Sequence, residues 1–163
     1  MSIDLGVNNL CAISSNVANA ELIDGRKIKQ INHQWNKRKA ILQSKLKNNQ
    51  HFSKLITKIT NKRNLRIRDY FHNVSRYIVN QVVSHQINTI VIGHTNYWKQ
   101  ETNIGKINNQ NFAQIPFNSL IHMISYKAEL LGINVVIQEE SYTSKASFFD
   151  NDVVPVYKQN NLA

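Results

Sequence analysis

The residue type best suited to chemistry near the start of the chain is Asp4. It stands inside an apolar stretch, Ser2-Ile3-Asp4-Leu5-Gly6-Val7, with Gly6 two residues on. Burying an unpaired carboxylate in a strand is costly, so the position requires a cation, a hydrogen-bond network or water. A divalent metal would meet that need and make Asp4 a ligand. Strand alternation also allows a second reading, in which Asp4 lies on a solvated face. Ser141, Thr143 and Ser144 supply hydroxyls near the other end. No histidine is close in sequence to activate them, and backbone capping accounts for such residues.

The second chemical feature is positive charge. The chain carries 20 Lys and Arg against 10 Asp and Glu, a net charge of +10. Most of the cations fall between Arg26 and Arg76, and Lys58, Lys62, Arg63, Arg66, Arg68 and Arg76 crowd one segment that holds a single acid, Asp69. A block of this kind suits a polyanion, most simply nucleic acid. The alternative is a solvated helix face. Tyr97 and Trp98 could stack on bases or anchor their loop.

Three short strands and then helices must position these groups. Ile3–Asn8 and Leu10–Ser14 read as strands joined at Asn8-Asn9, and Glu21–Ile31 as a third, bent at Asp24-Gly25. Gln34–Lys47 and Ser53–His85 read as helices, the second amphipathic through Leu55, Ile59, Tyr70, Phe71, Val74, Ile78 and Val82. Asn88–His94 is a continuous apolar run after a helix, the pattern of a buried parallel strand. A long polar loop, Thr95–Gln114, leads to Pro116, which opens a helix that Gly132 closes. Ile133–Gln138 is a fifth strand, and the chain beyond Asp150 is a polar tail. An antiparallel meander followed by helix-connected parallel strands implies a mixed α/β sheet with helices on both faces.

Composition narrows the class. A hydrophobic fraction of 42% suits a globular chain, and 163 residues suit one domain. No run of about 18 apolar residues is present, so no membrane helix is expected. The N-terminus reads as lacking a signal peptide. A lone cysteine, Cys11, excludes an internal disulfide framework and points to a cytoplasmic compartment.

The element order is that of the ribonuclease H-like fold, and the ordered segments are more specific. Ile3-Asp4-Leu5-Gly6-Val7-Asn8-Asn9-Leu10, the basic helix from Lys62-Arg63 through Asp69-Tyr70-Phe71-His72-Asn73-Val74-Ser75, Ile90-Val91-Ile92-Gly93-His94, Tyr126-Lys127-Ala128 and Tyr142-Thr143-Ser144-Lys145 follow one another. Together they resemble the RuvC-like nuclease domain of the transposon-encoded TnpB (OrfB) family, over roughly residues 2–149. The resemblance implies a RuvC-like domain over 1–150, with basic helices inserted at about 32–86, followed by a tail at 151–163. It implies an RNA-guided DNA endonuclease of an insertion sequence, commonly described as a transposase. It implies magnesium held by acidic residues, with Asp4 as the first ligand, and DNA with a guide RNA or RNA–DNA hybrid as partners. The cations Lys58, Lys62, Arg63, Arg66, Arg68, Arg76 and Lys145 would contact phosphates.

The sequence also departs from the family. Most members carry a glutamate at the end of the fourth strand, where this chain has Gly93. Glu139 or Glu140, at the end of the fifth strand, could supply a carboxylate instead, with Glu140 the preferred metal and catalytic candidate; both could equally be exposed strand-end charges. The third acidic position and the zinc-binding insert of the family are not found, and Met1 falls inside the first segment. The expectation is an incomplete domain that binds nucleic acid and cuts weakly or not at all. Two alternatives stand beside it: an active two-metal nuclease using a relocated glutamate with a late acid such as Asp150, and a binding module without catalysis.

Overall fold

A computed structural model of the chain describes residues 1–47, 50, 52–94 and 114–139. The described elements are β1 (Ser2–Leu5), β2 (Asn9–Ser14), β3 (Glu21–Asp24), α1 (Arg26–Gln43), α2 (Lys54–Ser84), β4 (Thr89–Gly93), α3 (Phe117–Glu129) and β5 (Asn134–Gln138). The sheet order is β3-β2-β1-β4-β5. β1–β2 and β2–β3 pair antiparallel, while β1–β4 and β4–β5 pair parallel. This is the expected mixed sheet, with the first and fourth strands adjacent at its centre.

Alternation sorts each central strand into two faces. Ile3 and Leu5 of β1 are buried, whereas Ser2 and Asp4, which alternate with them, are exposed. Ile90 and Ile92 of β4 are fully buried beside them. α1, α2 and α3 supply the other half of one core, through residues such as Ile28, Ile31, Ile67, Phe71, Ile78, Val82, Phe117, Leu120 and Ile124. The sequence pattern implied helices on both faces. Among the described residues, the core lies on the Ile3 and Ile92 side alone, and the Asp4 side is open.

The α2 stripe forms because Ile67, Phe71, Val74, Ile78 and Val82 recur at three- and four-residue spacing and fall on one helical face. Ser53 caps its start, its hydroxyl accepting from the Ile56 amide at 3.3 Å. Pro116 occupies the position before α3 as expected, and Gly132, at φ +73°, turns the chain toward β5.

The boundary between β3 and α1 differs from the sequence expectation. β3 ends at Asp24, and the helix begins at Arg26 rather than Gln34. Asp24-Gly25 is a break, not a bend within a strand. The Asp24 carboxylate accepts the Arg26 amide at 2.7 Å, and the Gly25 carbonyl accepts from Ile28 and Lys29, starting the helix. Gly25 also donates to the Asn8 carbonyl at 2.8 Å, and a Cβ on it would collide with the Val7 carbonyl oxygen. Ile28 and Ile31, buried and three residues apart, carry the helical period through this stretch.

Tyr126-Lys127-Ala128 proves to be a fastening between helices. Lys127 is 6% exposed, and its ammonium donates to the His72 carbonyl at 3.0 Å and the Ser75 hydroxyl at 2.6 Å. Ser75, itself fully buried, donates to the Phe71 carbonyl at 2.7 Å. Burial, aided by the charge of Arg76, pulls the Lys127 pKa below that of an ordinary lysine.

Candidate nucleic-acid interface

α2 is 31 residues long and spans about 46 Å at 1.5 Å per residue. Lys58, Lys62 and Arg66 recur every four residues and line one exposed stripe away from its core face. Arg68 and Arg76 are exposed further along, with Asp69 between them. The one ion pair between described residues joins Arg26 to Asp24 at 2.8 Å, so none of these α2 cations is neutralised by a described carboxylate.

Where α1 lies against α2, a groove forms, lined by Ile31, Gln34, Trp35 and Arg38 of α1 and by Ile59, Lys62, Arg63 and Arg66 of α2. Arg38, Lys62 and Arg66 are exposed at its rim. Arg66 Nη1 donates to Gln34 Oε1 across the groove at 3.3 Å. Trp35 forms the floor, with its indole N–H donating to Thr60 Oγ1 at 3.1 Å and with Lys39 and Arg63 over its ring at 4.9 and 5.3 Å. Three exposed cations with no carboxylate in the lining make the groove suited to a phosphate backbone.

Arg63 is placed differently from the other cations that the sequence groups with it. It is half-buried, and its guanidinium donates to Asn32 Oδ1 at 2.8 Å, to Asn64 Oδ1 at 2.9 Å and to the Gln114 carbonyl. Burial lowers its pKa, the direction expected when a charged group leaves water. Asn32, 0% exposed on α1, and Gln114, just before α3, are thereby joined to α2. Sequence reasoning missed both, because a single asparagine or glutamine in a polar chain carries no periodic signal.

Asp4 lies in a shallow trough on the open sheet face with Ser2, Ala12, Ser14, Leu22, Val91, Gly93 and Gln138. Ile3 pairs with Ile92, so one further step along the parallel register sets Asp4 beside Gly93 on the same face, and Gly93 pairs with Gln138. On the other side Asp4 pairs with Ala12. The neighbours of Asp4 across the sheet are therefore a glycine and an alanine, with an amide one strand further. Glu139 follows β5 and is exposed. Glu140, Lys145, Asp150, Tyr97 and Trp98 lie outside the described residues. Among the described residues, no three Asp, Glu, His or Cys side chains come together to hold a metal ion. Glu21 is a second carboxylate in the trough lining, but it lies on β3, two strands from Asp4, and accepts from the Tyr77 hydroxyl at 2.8 Å. A two-metal centre needs several carboxylates within a few ångströms, and the described donor set does not fit it. Behind Asp4, burial with a contribution from the Asp4 charge pushes the Cys11 thiol up to about 12, leaving it protonated and inert.

The strand order and the placement of Asp4 on the first central strand define a ribonuclease H-like, RuvC-like fold. Residues 1–99 match the OrfB_IS605 family, described as "Probable transposase", and the chain belongs to that family. It is 24% identical over 150 residues to the TnpB-like protein MJ0751 of Methanocaldococcus jannaschii, an alignment covering 89% of this chain and 54% of that protein. The chain thus spans about half the length of this relative. Its fold is shared with Cas12f1 in a complex with sgRNA and target DNA, at TM-score 0.67 and 18% identity over 88% of this chain and 36% of that one. A CRISPR-Cas12f ternary complex matches at TM-score 0.65 and 21% identity, covering 88% and 29%. No helix among the described residues is long and apolar enough to cross a membrane.

Proposed function

We propose that this chain binds nucleic acid along the α1–α2 groove, and that it cleaves DNA weakly or not at all. The observation that carries the proposal is the convergence of Arg38, Lys62 and Arg66 on a groove with no acidic lining residue. The partner is DNA paired with a guide RNA, read through its phosphates rather than its base edges. Membership of a transposase family and a fold shared with a protein solved on sgRNA and target DNA support this partner class. Weak cleavage follows from Gly93, which puts no ligand beside Asp4. Magnesium is the ion the family resemblance implies, and Asp4 is the residue that would hold it.

The test is a salt titration of binding to a labelled RNA–DNA hybrid, run beside a magnesium-dependent cleavage assay on the same duplexes. Three phosphate contacts predict a slope of log affinity against log salt of about −2.7, from about −0.9 per contact. Affinity independent of salt would remove the interface. Robust magnesium-dependent cleavage abolished by Asp4→Ala would overturn the catalytic half of the proposal.

A further inference from the structure

Among the cations of α2, Arg63 makes the most hydrogen bonds to described residues, one from each guanidinium nitrogen. Nε and Nη1 donate to Asn32 and Asn64, Nη2 donates to the Gln114 carbonyl, and the plane lies 5.3 Å from the Trp35 ring. The amide of Gln114 is held from the other side. Asn36 Nδ2 donates to Gln114 Oε1 and Gln114 Nε2 donates to Asn36 Oδ1, both at 3.0 Å. Five residues from α1, α2 and the approach to α3, Asn32, Asn36, Arg63, Asn64 and Gln114, therefore close into one polar knot beside the groove. The adjoining Ile115 is 0% exposed, which fixes the Gln114 end in the core.

We infer that Arg63 is a positioning residue, which pins α1 against α2 and so sets the spacing of the groove walls, rather than a phosphate ligand. The inference rests on the reading above that nucleic acid occupies this groove. Gln34 and Arg38 sit on the α1 wall, Lys62 and Arg66 on the α2 wall. Their separation depends on what crosses between the helices below them. Asn32 to Arg63 is a direct crossing, and Asn36 to Gln114 completes a second one through the Gln114 carbonyl that Arg63 holds. The role needs a planar fork with several donors in fixed directions. An ammonium on a flexible stem cannot reach Asn32, Asn64 and the Gln114 carbonyl together. Asn32 matters for the same reason. It is neutral and fully buried, so it cannot touch a polyanion, yet it holds one side of the fork.

The experiment measures binding of an RNA–DNA hybrid by wild type and by Arg63→Ala, Arg63→Lys, Asn32→Ala, Asn36→Ala and Arg66→Ala. It is run over a salt series from about 50 to 200 mM, with affinities compared at equal salt. All measurements lie well below each melting temperature, with folding verified by circular dichroism. The positioning role predicts that Arg63→Lys binds as weakly as Arg63→Ala, each about tenfold below wild type, a change of about 1.4 kcal/mol. Asn32→Ala should match them although it removes no charge. Asn36→Ala, which leaves the guanidinium in place and is the mildest change to the fold, should lose about twofold to threefold, on the order of half that free energy. Arg66→Ala is the control for a direct contact, its slope falling by about 0.9. If Arg63→Lys binds like wild type while Arg63→Ala loses affinity and slope as Arg66→Ala does, Arg63 is a phosphate ligand and the inference is wrong. It is also wrong if the Arg63 and Asn32 variants only melt lower and bind unchanged once folded. Salt-independent binding by wild type would instead overturn the interface itself, a result that the wild-type curve alone reveals.

Discussion

Replacing Gly93 with glutamate tests the geometry around Asp4 most sharply. The parallel register puts position 93 beside Asp4 on the open face, and neighbouring strands lie about 4.8 Å apart. Gly93 does not have a positive φ, so a side chain can be built there without left-handed backbone strain. Two carboxylates on adjacent strands can then share one divalent ion. In bulk water, unit charges about 4 Å apart attract by about 1 kcal/mol, so a second carboxylate adds about 2 kcal/mol toward a doubly charged ion at that range. That corresponds to about 30-fold tighter binding. Isothermal titration calorimetry with magnesium or manganese would compare wild type, Gly93→Glu and the Gly93→Glu/Asp4→Asn pair. The gain should appear in Gly93→Glu and vanish in the double variant. Gly93→Ala, which adds bulk without charge, should bind metal as wild type does. Unchanged metal affinity in a folded Gly93→Glu protein would refute the reasoning that position 93 faces Asp4.

Other outcomes follow from the helix contacts. Gly25→Ala should destabilise the protein by about 1–3 kcal/mol, because the new methyl must displace the Val7 carbonyl; equal melting temperatures would contradict that packing. Lys127→Met should flatten the alkaline pH dependence of stability. With its folded pKa below the ordinary value near 10.5, Lys127 binds fewer protons folded than unfolded between the two values. Its contribution makes stability rise with pH through that window, and removing it should remove the rise in urea midpoints. An unchanged pH profile would show that the ammonium is solvated in the fold.

The five strands were legible because they advertise themselves by apolar alternation and by continuous runs such as Thr89–Gly93, and their order followed from the resemblance to the ribonuclease H-like fold. The long helix was legible to within one residue at each end, since its period holds over eight turns and Ser53 marks its start. The start of α1 was not. Arg26 to Lys29 reads locally as polar chain after a turn, and Ile28 and Ile31 join the helical period only once the Asp24 bond to the Arg26 amide and the close approach of Gly25 to Val7 are known. Asp4 stood out as a carboxylate in a strand, and the structure places it on the open face rather than in the core. The role of Arg63 was hidden because composition treats all cations alike. Its partners Asn32 and Gln114 lie 31 and 51 residues away, and only the folded chain brings them to one point.

The central claim is that nucleic acid lies along the α1–α2 groove, and one comparison tests it most directly. Affinity for a labelled RNA–DNA hybrid would be measured at about 50 and 200 mM salt for wild type and for a triple variant with Arg38, Lys62 and Arg66 changed to alanine. Wild type should lose about 40-fold across that range, as three contacts of slope about −0.9 require, whereas the folded triple variant should bind weakly and change little. A triple variant that binds as tightly as wild type, with the same dependence on salt, would contradict the account.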